Sequence, residues 1–121
     1  MTTLEKVVFD CLIEVIGENA FAGCNKLVEV IFPQSLTSIE NSAFSNCTSI
    51  HEITLPASLK SIGKNGFSFC SLLSKVDFGD NSSLESLDQY AFRSCIGLKS
   101  IEIPKKVKEI KPRTFDGCKN L

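Results

Sequence analysis

A phenylalanine and a cysteine recur together along this chain at a nearly fixed spacing. The intervals between successive phenylalanines are 23, 23, 25 and 23 residues, and a cysteine follows each of them three positions later. The two columns are Phe21, Phe44, Phe67, Phe92 and Phe115, with Cys24, Cys47, Cys70, Cys95 and Cys118. A period of about 20 to 50 residues is typical of a solenoid, in which one supersecondary unit is stacked repeatedly. The pattern therefore predicts a repeat solenoid, in which any ligand is bound by positions that vary between repeats.

Five apolar columns share this period. They are Ile13, Leu36, Leu59, Leu84 and Val107; Ile16, Ile39, Ile62, Leu87 and Ile110; Leu27, Ile50, Leu73, Leu98 and Leu121; Val30, Ile53, Val76 and Ile101; and Phe32, Leu55, Phe78 and Ile103. We divide a single domain, 1–121, into a partial repeat 4–12, full repeats 13–35, 36–58, 59–83 and 84–106, and a partial repeat 107–121. Arrays normally end in polar capping repeats. Neither end carries one, which predicts a fragment of a longer array.

Each repeat should contain two short extended segments and one tight turn. The segment LxxVxF alternates inward-facing apolar residues, such as Val30 and Phe32, and ends at a proline, which cannot donate to a strand ladder. A second extended stretch, LxxI, follows. Phe44 and Cys47, three positions apart, would then share one face of a single helical or 3-10 turn. The insertion between Phe78 and Leu84 adds two residues, and Gly79 replaces the proline there. Such insertions often mark a binding edge, although surface loops also simply tolerate them.

Charge and hydropathy exclude several classes of partner. The net charge of −1 favours neither nucleic acid nor an acidic membrane surface. A small lysine cluster near residue 105 is interrupted by Glu102 and Glu109, which is typical of a solvated face. No apolar run approaches the ~18 residues that span a bilayer. The first residues do not resemble a secretory signal, which in a fragment says nothing about the parent protein.

The six cysteines are predicted to be free thiols rather than a disulfide framework. Five of them occupy one column, and stacked rungs hold parallel Cβ vectors about 4.8 Å apart, farther than the ~3.8 Å of a disulfide. A ladder also spreads its sulfurs along an axis, whereas zinc needs ligands that converge on a point. We therefore predict no metal and no cofactor. Cys11 lies outside the column, in a connecting turn, and is predicted to be the most easily oxidised.

A catalytic function finds little support. The single histidine, His51, follows Cys47 by four residues, but the strand alternation directs the two side chains apart, so an ordinary exposed histidine is the better interpretation. The chain contains no phosphate loop and no nucleotide fingerprint. We predict that it is not an enzyme. Asn46 and Asn81 begin N-x-S/T sequons, a pattern that also arises by chance in a chain rich in serine and threonine.

The repeat as a whole, CxxLxxIxIPxxLxxIxxxAFxxC, resembles the BspA-like leucine-rich repeat family over essentially the full chain. Gly79 in place of proline, and Gly66 and Thr114 in place of alanine, are the departures from it. The resemblance implies a right-handed leucine-rich-repeat superhelix, with a parallel β-sheet on the concave side and short turns on the convex side. It also implies cell-surface or secreted proteins of anaerobic bacteria and mucosal protozoan parasites, often involved in adhesion to host matrix proteins or other microbes.

The outward positions of the LxxVxF segments are the candidate binding surface. Eight residues are predicted to contribute: Val8, Glu29, Ile31, Glu52, Thr54, Lys75, Asp77 and Glu102. We expect a non-catalytic protein-binding or adhesion module of a cell-surface or secreted protein, which uses the concave sheet face and the edge loops to bind a protein partner such as a host matrix or cell-surface protein. The alternative is a structural or self-assembling spacer without a dedicated ligand. End-to-end homo-oligomers are also expected, because terminal coils expose unpaired strand edges; a closed dimer of like ends is favoured over an open filament.

Overall fold

Within the described residues, nine short parallel strands build the solenoid, two in most repeats. The computed structural model describes residues 3–9 and 12–121. Four strands have three residues: β1 (Lys6–Val8), β3 (Glu29–Ile31), β5 (Glu52–Thr54) and β7 (Lys75–Asp77). Five have two residues: β2 (Val15–Ile16), β4 (Ser38–Ile39), β6 (Ser61–Ile62), β8 (Ser86–Leu87) and β9 (Glu109–Ile110). All pairs are parallel and join equivalent positions of successive repeats, which confirms the predicted leucine-rich-repeat type of solenoid.

The two sets of strands differ in continuity. The two-residue strands form one five-stranded sheet in the order β2-β4-β6-β8-β9. The three-residue strands form two separate pairs, β1-β3 and β5-β7. The residues that correspond to the next strand, Ser100–Glu102, are not in strand conformation. Within the described ranges, the expected single sheet of LxxVxF segments is therefore interrupted twice, at β3/β5 and after β7; we call these two places the open junctions.

Stacked aromatic rings fill the core. Centroids of successive rings in the Phe21–Phe115 column lie 5.2, 5.3, 5.5 and 5.8 Å apart, with interplanar angles between 4° and 11°. Phe32 meets this column edge-on, at 5.7 Å and 82° from Phe44. Parallel-displaced and edge-to-face pairs at these distances add about 0.5–1.5 kcal/mol each beyond burial. Phe44, Phe67 and Phe92 are fully buried, so the phenylalanine column forms the centre of the core, as predicted.

The turn that carries AFxxC is not helical, contrary to the prediction. No helix of any type occurs among residues 3–9 and 12–121. Two positions per repeat have positive φ, for example Ser42 (58°) and Asn46 (62°) on either side of Phe44. A right-handed helix requires negative φ at successive residues, so these positions break it into consecutive tight turns. Phe44 and Cys47 are nevertheless both buried in the core. The cysteine amide of the turn still donates to the carbonyl of the phenylalanine three residues earlier, as in Cys24 N to Phe21 O at 3.2 Å.

Each repeat forms one rung of the solenoid, and along the AFxxC turns backbone hydrogen bonds join every rung to the next. We call the side of the solenoid formed by these turns the turn edge. Each column phenylalanine donates its amide to the residue before the next one: Phe21 to Ala43 (2.7 Å), Phe44 to Gly66 (2.9 Å), Phe67 to Ala91 (2.7 Å) and Phe92 to Thr114 (2.9 Å). Space is tight within the repeat here, since a Cβ on Gly66 would lie 2.6 Å from Ile62 Cγ2 of the same repeat. Glycine in place of the usual alanine at position 66 avoids this contact.

Candidate functional site

The eight predicted binding residues all lie exposed, on what we call the outer sheet face. Seven project outward from the three-residue strands, while Val7, Val30, Ile53 and Val76 alternate toward the core. Val8 and Ile31 are directly paired and are 54% and 45% exposed, an adjacent apolar pair facing solvent. Thr54 pairs with Asp77, and Glu52 with Lys75. Whether these residues bind a partner stays a prediction.

The open junctions divide this face into parts. Val8, Glu29 and Ile31 lie on the first strand pair, and Glu52, Thr54, Lys75 and Asp77 lie on the second. Glu102 lies beyond the second open junction. The one ion pair of this face within the described residues joins Lys6 Nζ to Glu29 Oε1 at 3.4 Å, and both side chains are half exposed. Such a pair contributes little stability.

A cleft opens at each open junction. The smaller, of about 550 Å³, runs between the segments 28–34 and 52–56. The larger, of about 1000 Å³, runs between 74–82 and 100–106 and includes the outward Asp77 and Glu102. By their register, Phe32 and Phe78 would donate their amides across these clefts, as Leu55 does to Asp77 O at 2.8 Å. In the described part of the chain neither amide has an acceptor. Backbone groups are thus available for an incoming segment.

The five-residue loop 79–83 forms one wall of the larger cleft. Gly79 has φ +77°, which glycine adopts without strain. Its amide donates to Asp77 Oδ1 at 2.8 Å, and the buried Ser82 accepts from the Leu84 amide at 3.2 Å. Ser83 N also donates to Ala57 O at 2.8 Å in the preceding repeat. The insertion is therefore held in one conformation, in which it borders the candidate face.

The column cysteines have a structural role that their spacing did not reveal. All five are free thiols; four are fully buried and Cys118 is half-buried. The sulfur of each later cysteine donates to the phenylalanine carbonyl of the preceding rung: Cys47 to Phe21 (3.2 Å), Cys70 to Phe44 (3.3 Å), Cys95 to Phe67 (3.2 Å) and Cys118 to Phe92 (3.0 Å). A cysteine therefore combines apolar packing with a weak donor for a buried acceptor. Cys11, predicted to be the most reactive, lies outside the described residues.

Burial changes the acidity of these thiols along the column. Desolvation raises the pKa of Cys24 and raises that of Cys47 to about 12. Desolvation also raises the pKa of Cys70. The neighbouring Cys118, together with burial, raises the pKa of Cys95, and interaction with Cys95 lowers the pKa of the half-buried Cys118 to about 7. The interior thiols are therefore inert at neutral pH, and Cys118 is the most nucleophilic member of the column.

Within the described residues, the structure does not bring together the side chains of the other candidate sites. His51 is exposed and Cys47 is fully buried, so the two side chains diverge as predicted. Within residues 3–9 and 12–121, no group of three or more His, Cys, Asp or Glu side chains is placed to hold a metal ion. No helix in the same ranges is long and apolar enough to cross a membrane. Asn46 and Asn81 are both exposed, and their glycosylation stays a prediction.

The sequence analysis considered only the outward positions of the strands and did not identify a cluster of two aromatic residues and an arginine on the turn edge. The Arg93 guanidinium carbon lies 5.4 Å from the Phe69 ring centroid and 4.9 Å from that of Tyr90. Phe69 and Tyr90 both have φ of 61°, where a bulky residue costs roughly 1–3 kcal/mol. The available signal was a departure from the repeat: in the position of Phe69 the other repeats carry Gly23, Asn46, Ser94 and Gly117.

Comparison with known proteins identifies the family. The family model for the BspA type leucine rich repeat region matches residues 1–121 with six copies. The chain belongs to this family. No match to a curated protein was found.

Solved leucine-rich repeat proteins have the same fold. A leucine rich repeat protein of T. pallidum is 34% identical with a TM-score of 0.90; the alignment covers 98% of this chain and 56% of that one. A protein from Bacteroides ovatus is 30% identical, with a TM-score of 0.68 and coverage of 99% and 37%. The pneumococcal vaccine antigen PcpA is 24% identical, with a TM-score of 0.72 and coverage of 94% and 38%, and shares the fold alone. The chain spans 56% of the length of the T. pallidum protein and less than two fifths of the length of the other two.

Proposed function

We propose that this BspA-type repeat chain is a non-catalytic protein-binding module that acts through the outer sheet face. Leucine-rich repeat solenoids are generally interaction scaffolds, and the family assignment rests on the whole chain. The observation that carries the proposal is the location of the two clefts. Both open between rungs of this face, the smaller beside Ile31 and the larger beside Asp77 and Glu102, and each holds a backbone amide that has no acceptor among the described residues. In the parent protein we place the module at the cell surface or in a secreted protein, as the family resemblance implies, with adhesion to a host matrix or cell-surface protein as its role.

The apolar pair and the charged residues on this face are expected to contribute differently, the first to affinity and the second to association rate and specificity. Val8 and Ile31 present an apolar surface beside the smaller cleft, and apolar burial supplies affinity. Asp77, Asp80 and Glu102 line the larger cleft together with Lys75, Lys105 and Lys106, so its formal charge is balanced. Charged residues at the rim of an interface mainly affect association rate and specificity. A partner that combines an apolar anchor with charged residues of both signs fits this surface.

A binding assay against defined matrix proteins tests the proposal. The chain is titrated over immobilised fibronectin, laminin and collagen, together with the variants Ile31→Ser and Asp77→Lys/Glu102→Lys. We expect a partner that binds the wild type and loses roughly tenfold or more in affinity with either variant, as for residues at the centre of an interface. Lys26→Glu, off this face, is the matched charge-reversal control. Equal binding by all four proteins would show that the outer sheet face is not the binding surface.

A spacer or self-assembling role is the second candidate, and charge distribution favours it. Residues 1–60 carry three lysines and seven acidic residues, a net charge of −4, whereas 61–121 carry ten basic and seven acidic residues, a net charge of +3. Opposite ends of two molecules therefore attract and like ends repel, which favours head-to-tail association over the closed dimer of like ends expected above. Sedimentation at rising concentration tests this: head-to-tail association that weakens at high salt would support it, and a monomer at low salt would contradict it.

The parent protein's location has its own test. Surface labelling of intact cells that express the parent protein should modify lysines of this module, such as the exposed Lys75. Labelling seen only after lysis would contradict the proposed location.

A further inference from the structure

Two aromatic residues occupy positive-φ positions on the turn edge where this repeat otherwise uses asparagine, serine or glycine and, at Arg113 alone, arginine. In the position of Tyr90, the earlier repeats carry Asn19, Ser42 and Asn65, and in the position of Phe69 the first two carry Gly23 and Asn46. All of these have positive φ. Asparagine and glycine tolerate that conformation, whereas a bulky side chain is an outlier in it. An outlier in a repeat whose fold does not need it is a reason to look for function.

The two aromatic residues enclose an arginine. Arg93 lies over both rings, and the amide of Phe69 donates to the Arg93 carbonyl at 2.7 Å across the rung boundary. The two ring contacts orient the guanidinium, and its side chain remains 42% exposed. Its ion pair with Asp116 is long, at 3.9 Å, and involves only Nε. The terminal guanidinium nitrogens are therefore available for a two-pronged contact with another carboxylate.

Two exposed aliphatic residues extend the cluster on the same two rungs. Leu72 is 48% exposed and Ile96 is 42% exposed. They are neighbours, because Gly97 N donates to Ser71 O at 3.1 Å, and a Cβ on Gly97 would lie 3.3 Å from the Leu72 carbonyl carbon. In the positions of Leu72 and Ile96 the other repeats carry polar residues or glycine: Lys26, Ser49, Gly97 and Asn120, and Asn25, Thr48, Ser71 and Lys119. We call Phe69, Leu72, Tyr90, Arg93 and Ile96 the turn-edge patch.

We propose that the turn-edge patch is a second binding site, which takes a peptide segment of a partner protein in which a carboxylate adjoins an apolar side chain. The carboxylate binds the guanidinium of Arg93, and the apolar side chain packs against Leu72 and Ile96. Aromatic residues and arginine are the side chains that most often dominate binding energy in protein interfaces.

Charge on the following rung favours an acidic partner. Arg113 occupies the position of Tyr90 one rung later, and Lys119 occupies that of Ile96. Over the two turns 88–96 and 111–119, the four cations Arg93, Lys111, Arg113 and Lys119 outnumber the two carboxylates Asp88 and Asp116, a net charge of +2. The larger cleft of the outer sheet face has no such excess, because Lys75, Lys105 and Lys106 balance its three carboxylates. The second site uses other residues and does not depend on the first.

Selection from a displayed library of random peptides tests the site. The library is panned against the full chain, and enriched peptides are then measured against Phe69→Asn, Arg93→Gln and the outer-face control Ile31→Ser. We expect enrichment of peptides with Asp or Glu next to Leu, Ile or Phe, and a loss of tenfold or more in affinity with Phe69→Asn and Arg93→Gln but not with Ile31→Ser. Enrichment of basic or uncharged peptides, or equal binding by all variants, would overturn the proposal.

The stability of Phe69→Asn separates binding from folding. This variant restores the residue found at Asn46, which tolerates the left-handed conformation, so the melting temperature should stay within about 2 °C of the wild type or rise. A fall of more than about 5 °C would show that the ring is a packing element and would overturn its assignment to a partner. Arg93→Lys supplies a second readout: it keeps the charge but not the fork geometry, so it should recover only part of the affinity.

Discussion

The turn edge and the three-residue strands are two sides of the same repeats, yet only one is continuous. Along the turn edge, backbone hydrogen bonds join every pair of successive rungs from Phe21 to Thr114. Along the three-residue strands, pairing holds at β1-β3 and β5-β7 and fails at the two junctions between and beyond them. Both sides follow the same 23-residue period. A regular sequence repeat therefore does not guarantee regular pairing.

The difference shows where the stacking energy is concentrated. The phenylalanine rings and the thiol–carbonyl hydrogen bonds lie next to the turn edge and hold the rungs at a fixed spacing there. The opposite side has a less uniform core column, with Phe32, Leu55, Phe78 and Ile103 in successive rungs, and Ile101 and Ile103 are only partly buried. Rungs fixed on one side can separate on the other, which makes the three-residue strands the adaptable side of the solenoid.

The largest expected effect is the loss of a ring from the continuous side. Phe67 stacks on both Phe44 and Phe92, so Phe67→Ala should lower the free energy of unfolding by ~3–5 kcal/mol. Ile101→Ala, at an open junction and only partly buried, is the matched comparison and should cost about 1–2 kcal/mol. Denaturant titration measures both. Equal losses would mean that the two sides contribute equally, and an unchanged curve for Phe67→Ala would contradict the ring column as core.

The second-largest expected effect is a loss of folding stability at alkaline pH, caused by the buried thiols of the continuous side. Burial raises the pKa of Cys47 to about 12, above the ~8.5 of an unfolded thiol. The folded state then holds a proton that the unfolded state has released, so stability is full below the unfolded pKa and falls as pH rises toward the folded one. By pH ~11 the loss from this thiol should be about 3 kcal/mol. Cys47→Ala should show a smaller decline between pH ~8.5 and ~11; parallel curves for the two proteins would contradict the assignment.

A smaller difference is expected within the cysteine column itself. Cys118 is half-buried, and interaction with the neighbouring Cys95 lowers its pKa to about 7, whereas Cys47 is fully buried. Alkylation of native protein by iodoacetamide should therefore modify Cys118 first among the five column thiols, at a rate that rises from pH ~6 to ~8 with its thiolate fraction. Mass spectrometry of digests taken over time identifies the site. Modification of Cys47 or Cys70 first would mean that the column opens more easily than its core position indicates.

The continuous side was largely predictable from the sequence, and the adaptable side was not. Column periodicity identified Phe44, Phe67 and Cys70 as core, because burial in a solenoid repeats with the chain. It did not predict the left-handed turns, since Phe69 and Tyr90 are residues that rarely adopt positive φ. Nor could it predict the Arg93 cluster, whose contact with Phe69 joins positions 24 residues apart. The open junctions depend on the distance between rungs, which identical spacing in the sequence leaves undetermined.

Amide hydrogen exchange offers the finest test of the open junctions. The amide of Leu55 donates to Asp77 O at 2.8 Å, while those of Phe32 and Phe78, at the equivalent positions, have no acceptor among the described residues. All three residues are buried, so a difference in exchange reports the missing hydrogen bond rather than exposure. We expect Phe32 and Phe78 to exchange at least roughly tenfold faster than Leu55.

A variant in which the loop 79–83 is shortened by two residues tests whether this insertion keeps the larger cleft open. If the insertion holds the rungs apart, Phe78 should become protected in the shortened chain, while Phe32, whose junction has no insertion, should exchange as before. Phe32 is thus the internal control for any general change in stability. Unchanged exchange at Phe78 would mean that the side chains of the last rungs, and not the loop, keep the cleft open. Equal protection of all three amides in the unaltered chain would instead show that the three-residue strands pair as continuously as the turn edge.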